Sequence, residues 1–311
     1  MDNTTQRQVY GEMLVELGKE NKNIVALEAD LGKSTMSCLF GDAYPERYFQ
    51  MGIAEQNMMS TAAGLSLTGK IPFVNSFAVF VSGRAYDQFR QTISIAKLNV
   101  KVCGSSSGLS DFGDGSTHQS IEDIAIMRAI PNVTVLAPVD AVETAKMVKA
   151  MVETSGPMYL RVNRNALPVL TDPGTPYQIG KMYTIREGGD VVVFSHGVMV
   201  SRSLDAAEAL EKKGVSVKVV NVSTLKPLDR EAIIAHTKGM KAVVVAEEHS
   251  IIGGLCSAVA EALRSELVPI EFVGIQDKFG TSAHGYEELL EKYNLTALNV
   301  QAAIEKMVAG R

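Results

Sequence analysis

Much that would announce a function is missing from this chain of 311 residues. Its three cysteines, Cys38, Cys103 and Cys256, have no paired spacing, so neither a disulfide frame nor a zinc site is suggested. No block of lysine and arginine occurs and the formal net charge is −5, which argues against nucleic acid or a membrane surface as a partner. No apolar run reaches membrane-spanning length, and the start Met-Asp-Asn-Thr-Thr-Gln lacks the hydrophobic core of a signal peptide; a reduced cytoplasm is the expected location. Internal repeats and low-complexity segments are absent to inspection. His196, His249 and His284 are too widely spaced to offer a ligand pair, so loop or interface roles are expected for them.

What remains is apolar material for two buried cores, 46% of the residues. Short apolar runs alternate with helical patterns: Ile24-Val-Ala-Leu-Glu, Pro72-Phe-Val-Asn, Val100-Lys-Val-Cys, Thr134-Val-Leu-Ala and Met158-Tyr-Leu-Arg-Val each lie beside a stretch of helical periodicity. This alternation predicts an α/β fold with a mostly parallel, doubly wound sheet. Between Pro168 and Gly189 the chain turns polar and rich in Pro, Gly and Thr, then restarts with Asp190-Val-Val-Val-Phe. The expected division is therefore a first domain over 1–170, a linker over 171–188 and a smaller α/β domain over 189–311.

The most informative stretch is Met51-Gly-Ile-Ala-Glu-Gln-Asn57, followed by a strand and then Phe77 and Phe80. A glutamate opening a helix ordinarily does no more than complement the helix dipole. Here it precedes an aromatic pair and several further motifs in a fixed order. From about Gln6 to Leu295 the chain resembles the carboxyl-terminal half of a transketolase: the pyrimidine-binding domain plus the small third domain, without the diphosphate-binding domain that comes first in a full-length enzyme. Such halves occur as one subunit of a split transketolase.

The resemblance implies roles residue by residue. Glu55 would be the acid that hydrogen-bonds pyrimidine N1′ of thiamine diphosphate, so that the opposite amino group can act as a base, and Phe77 and Phe80 the platform for the ring. Gly113-Asp-Gly-Ser-Thr-His-Gln119 would line the substrate channel, with Asp114 on a sugar hydroxyl and His118 on a hydroxyl or developing alkoxide. Arg7, Ser34 and Arg164 fall where the family binds a sugar phosphate, and arginine's planar fork suits a tetrahedral oxyanion. Asp30 would orient the sugar or, equally, cap the end of a strand. Arg161 is read as an ion-pair partner at most.

Gly113-Asp-Gly115 also resembles the start of a magnesium and diphosphate motif, but the nearest downstream asparagine, Asn132, is too close and is wedged between Pro131 and a strand. No metal ligand is therefore assigned to this chain. Mg2+ or Ca2+ would be held mainly by a partner, an amino-terminal transketolase subunit with the diphosphate domain, in an assembly of two chains of each kind. In place of the histidine that the family sets before Gly-Leu, the chain reads Cys103-Gly-Ser-Ser-Ser-Gly-Leu109. Neutral serines such as Ser106 would favour a singly charged sulfonate over a phosphate ester, or would bind a phosphate or shape the loop. Two other readings compete: the beta subunit of a 2-oxo-acid dehydrogenase, and a non-catalytic subunit that would be expected to have lost Glu55, Phe77 or Phe80.

Overall fold

The computed structural model describes residues 4–309. Its strands are β1 Ile24–Glu28, β2 Tyr48–Gln50, β3 Ile71–Phe77, β4 Lys101–Ser105, β5 Thr134–Leu136, β6 Met158–Arg161, β7 Tyr183–Arg186, β8 Val191–Ser195, β9 Val217–Asn221, β10 Thr224–Lys226, β11 Ala242–Ser250 and β12 Ile270–Ile275. They form two sheets, one in the order β10-β5-β6-β4-β3-β1-β2 and one in the order β12-β11-β8-β9-β7. Pairing is parallel except where β10 meets β5 and β7 meets β9. Parallel neighbours need crossovers, which the intervening helices supply and which cover both faces. Accordingly β1, β4, β6 and β8 are buried along their whole length.

Alternation along β1 shows the two faces of the first sheet. Ile24 and Ala26 pack with Tyr10, Leu14, Met147 and Met151 under helices Gln6–Glu20 and Ala141–Glu153. Val25 and Leu27 pack with Met58, Met59 and Ala62 of helix Glu55–Leu67. That second core continues through Val222 and Leu225 into Val192, Phe194, Val243 and Val245, so the two sheets share it. The other face of the second sheet packs against helices Val198–Glu211 and Ala297–Ala309.

The apolar runs read from the sequence are strands here. Three short strands escaped that reading. β2 has only three residues, β7 lies within 171–188, and β10 leaves the neighbourhood of β9 to pair with the edge of the first sheet. Three helix starts follow from side-chain caps: Thr5 accepts from the Gln8 amide at 3.3 Å, Asp140 from Glu143 at 2.7 Å and Asp229 from Ala232 at 3.0 Å. Among the described residues no helix is long and apolar enough to cross a membrane.

Candidate active site

The residues singled out by sequence gather at the carboxyl ends of β1, β3, β4 and β6, the edge where open α/β sheets present their ligand crevice. Glu55 is the first residue of its helix and only 1% exposed. β3 ends at Phe77, and the turn that follows sets Phe80 nearly parallel to it, with planes 11° apart and centroids 6.1 Å apart. The His118 ring stands edge-on to both, 6.2 Å from Phe77 and 5.3 Å from Phe80. A buried carboxyl beside two aligned aromatic rings fits a planar heterocycle with a hydrogen-bonding ring nitrogen, which is what the pyrimidine of thiamine diphosphate offers.

A second cluster adjoins the first. Arg7 donates to the Ser34 carbonyl at 2.9 Å, and Arg164 is paired with Asp111 at 2.7 Å while lying 6.0 Å from the Phe77 centroid. Burial, then repulsion from Arg164, pulls the Arg7 guanidinium below its ordinary value, and Asp111 partly offsets this. Two neighbouring guanidinium groups with one carboxylate, bonded to Arg164, leave an excess positive charge, which an anion would neutralise. Gln6 brings the two arginines together. Its buried amide donates to Pro138 O at 2.7 Å and accepts from the Asn163 amide at 2.8 Å, tying the first helix to the segment after β6.

Asp30 is exposed, with φ 61°, and lines a shallow pocket with Ser34, Gln50 and Glu28. Its amide donates to Gln50 Oε1 at 3.0 Å, and Gln50 donates to Glu28 at 2.5 Å. Asp114 is exposed on the loop that carries His118. Ser106 lies behind this surface, 0% exposed, with φ 53° and an Oγ that has no hydrogen-bond partner.

Sequence reasoning missed the supports of this site. Arg84 donates to both oxygens of Glu55, at 3.0 and 2.9 Å, and lies 4.6 Å over the Phe80 ring. The need of a buried carboxylate for a counter-charge was the available signal. Arg161 proves to be an ion-pair partner in the interior: it donates to Asp123 at 2.9 and 3.2 Å and to the Glu248 carbonyl at 2.9 Å. Gly104 leaves space that the Tyr159 hydroxyl fills on its way to Asp123, 2.8 Å away. Glu248 receives the Leu109 amide at 2.7 Å, and burial pushes its carboxyl up to about 7 against the pull of Arg161. His196 and His249, distant in sequence, both face Glu247, at 3.6 and 3.8 Å, in the buried layer between the sheets. Among the described residues no group of three or more acidic, histidine or cysteine side chains could hold a metal ion.

The His118 loop is fastened from the second domain. Ala283 donates to Phe112 O at 2.8 Å, and Gln119 donates to Asp111 O at 3.1 Å and to Thr281 O at 2.9 Å. The tract Asp277-Lys-Phe-Gly-Thr-Ser-Ala-His-Gly285 therefore acts as a clasp, while the His284 side chain itself is exposed.

Comparison with known proteins adds two kinds of likeness. Residues 2–169 match the family model described as transketolase, pyrimidine binding domain, and residues 180–300 match transketolase, C-terminal domain. A solved structure described as a split gene transketolase, inactive beta4 tetramer, superposes with a TM-score of 0.89 at 46% identity and covers 99% of both chains. A Methanocaldococcus jannaschii chain named "Putative transketolase C-terminal section" is 41% identical over 96% of this chain and 94% of its own. The 6-deoxy-6-sulfo-D-fructose transketolase subunit of Clostridium sp. (strain MSTE9) is 39% identical over 97% and 94%.

The clasp yields a test. Gly115 has φ 75°, and a Cβ there would meet the Ser282 amide nitrogen at 2.8 Å, whereas one at Gly113 would meet nothing. Gly115→Ala should weaken the clasp by about 1–2 kcal/mol, the scale of a left-handed penalty, so that the clasp protons, those of the Ala283 backbone amide and the Gln119 side-chain amide, exchange roughly five- to thirtyfold faster. Gly113→Ala should leave them unchanged. Equal exchange rates in both variants would show that the clasp does not hold the loop.

Proposed function

The chain belongs to the transketolase family, carrying its pyrimidine-binding domain followed by its C-terminal domain, and on that premise we propose that it is the carboxyl-terminal-half subunit of a split transketolase moving a two-carbon ketol unit from a ketose to an aldose. The observation that carries this reading is the buried Glu55 carboxylate at the foot of the Phe77, Phe80 and His118 cluster. Bound thiamine diphosphate would supply a nucleophilic thiazolium carbon. Glu55 would bond its pyrimidine nitrogen, the two phenylalanines would hold the ring, and His118 would donate to an oxygen of the two-carbon fragment. Asp30 and Asp114, both exposed at the rim, would take sugar hydroxyls.

The diphosphate and its Mg2+ or Ca2+ would be held by a second chain, the amino-terminal half, in a two-plus-two assembly in the cytoplasm. The similar split protein described as an inactive beta4 tetramer fits a chain that lacks activity by itself. The Arg7, Ser34 and Arg164 cluster suits the distal anion of the substrate, a phosphate ester or a sulfonate. The likeness to a sulfofructose transketolase subunit supports a sulfonate as the second of these, whereas Ser105, Ser106 and Ser107, expected from the sequence to favour it, are buried behind the surface and do not face the substrate.

In the assembled enzyme Glu55→Gln should keep fold and assembly and lower kcat at least a hundredfold, the scale of a lost acid-base contribution. Near wild-type turnover with cofactor saturating would remove Glu55 from the mechanism. Arg164→Ala should raise KM for a sugar carrying a distal phosphate or sulfonate roughly ten- to a hundredfold, as expected for one charge-assisted bond of about 1.5–3 kcal/mol, and leave KM for glycolaldehyde unchanged. The wild-type ratio of kcat/KM for 6-sulfofructose over fructose 6-phosphate then decides between the anions. Parallel changes for charged and uncharged substrates would place the anion elsewhere.

A further inference from the structure

The buried carboxyl of Glu55 has one charged side chain within bonding distance, Arg84. The Glu55 carboxylate is 1% exposed, and its only hydrogen-bond partner among the described residues is Arg84 Nη1, shared between both oxygens at 3.0 and 2.9 Å. The Arg84 side chain is 46% exposed and rests on the Phe80 ring, so the guanidinium lies between the acid and the solvent. Other charged or titratable groups on the surrounding elements are engaged or turned away. Glu28 is bonded to Leu31 and Gln50, His118 is edge-on to Phe80, Asp123 is paired with Arg161, and Asp87 and Arg90 are exposed.

A carboxylate anion has only acceptor sites, and so does an unprotonated pyrimidine nitrogen. The two can bond only through a proton. If the acid entered neutral it would bring that proton; held as an anion by Arg84, it cannot. We propose that Arg84 is a positioning residue that keeps Glu55 ionised before the cofactor arrives, so that one proton is drawn from solvent as thiamine diphosphate binds and comes to lie between Glu55 and the pyrimidine nitrogen. The inference rests on the reading of Glu55 as the acid for that nitrogen, and it makes cofactor affinity pH-dependent through a residue that need not touch the cofactor.

Calorimetry on the complex of this chain with its amino-terminal-half partner tests it. Thiamine diphosphate with Mg2+ is titrated in buffers of different ionisation enthalpy, which reads the protons taken up independently of turnover. The wild-type complex should take up about one proton near pH 7.5, and its Kd should weaken about tenfold per pH unit above that. Arg84→Met keeps the stem over Phe80 but removes the charge. Its Glu55 should already be protonated, so uptake should fall toward zero and the Kd should become flat with pH. Arg84→Lys should restore most of the uptake, which a purely structural role would not require. Uptake of about one proton in the Met variant would overturn the inference while leaving the reading of Glu55 intact. Failure of the wild-type complex to bind the cofactor at all would overturn both.

Discussion

The buried guanidinium of Arg161 is the point on which the site's geometry depends. It leaves the end of β6, pairs with Asp123 at the start of helix Asp123–Ala129, and donates to the Glu248 carbonyl in β11 of the second sheet. The segment it braces closes on itself where Gly108 and Ser120 exchange backbone bonds of 2.9 and 3.0 Å, and that closure presents His118. Removing one partner of a buried pair costs about 3–5 kcal/mol, because the other charge is left uncompensated. Such a node braces the arrangement of two domains and one loop in which the aromatic pair and His118 meet.

Charge is distributed in two ways around the crevice. At the end lined by Phe77 and Phe80 a single carboxylate is balanced by a single guanidinium, Glu55 by Arg84. At the other end Arg164 is paired with Asp111 while Arg7 lies within range of both, and the surplus is positive. A chain with a net charge of −5 thus still offers an anion a local positive surplus, which in a partly buried site acts at short range where a global field is screened.

The strands of both sheets were legible because buried parallel strands read as short apolar runs, and the position of Glu55 before Phe77 and Phe80 was legible because β3 lies between them as a single run. β2, β7 and β10 were not, since three or four residues at a sheet edge carry too little apolar signal. Arg7, Ser34 and Arg164, spread over more than 150 positions, came from the family resemblance, and their proximity comes from the Gln6 bridge, which has no sequence signature. Arg84 and Asp111 were missed because which charged residue meets Glu55 or Arg164 is decided by the fold, even where the need for a counter-charge can be read. The approach of His196 to Glu247 was hidden because the fold closes a gap that spacing along the chain represents as distance, whereas His249 is only two residues from Glu247.

The central claim is that this chain holds half of a cofactor site. It is tested most directly by assaying two-carbon transfer from a ketose to an aldose with the purified chain, saturated with thiamine diphosphate and Mg2+, before and after adding an amino-terminal-half subunit that carries Gly-Asp-Gly and a downstream asparagine. The account predicts no transfer from the chain alone and turnover that rises with added partner to a plateau at equal amounts of the two. Full turnover by the chain alone, in a sample shown by mass spectrometry to contain no second polypeptide, would contradict it.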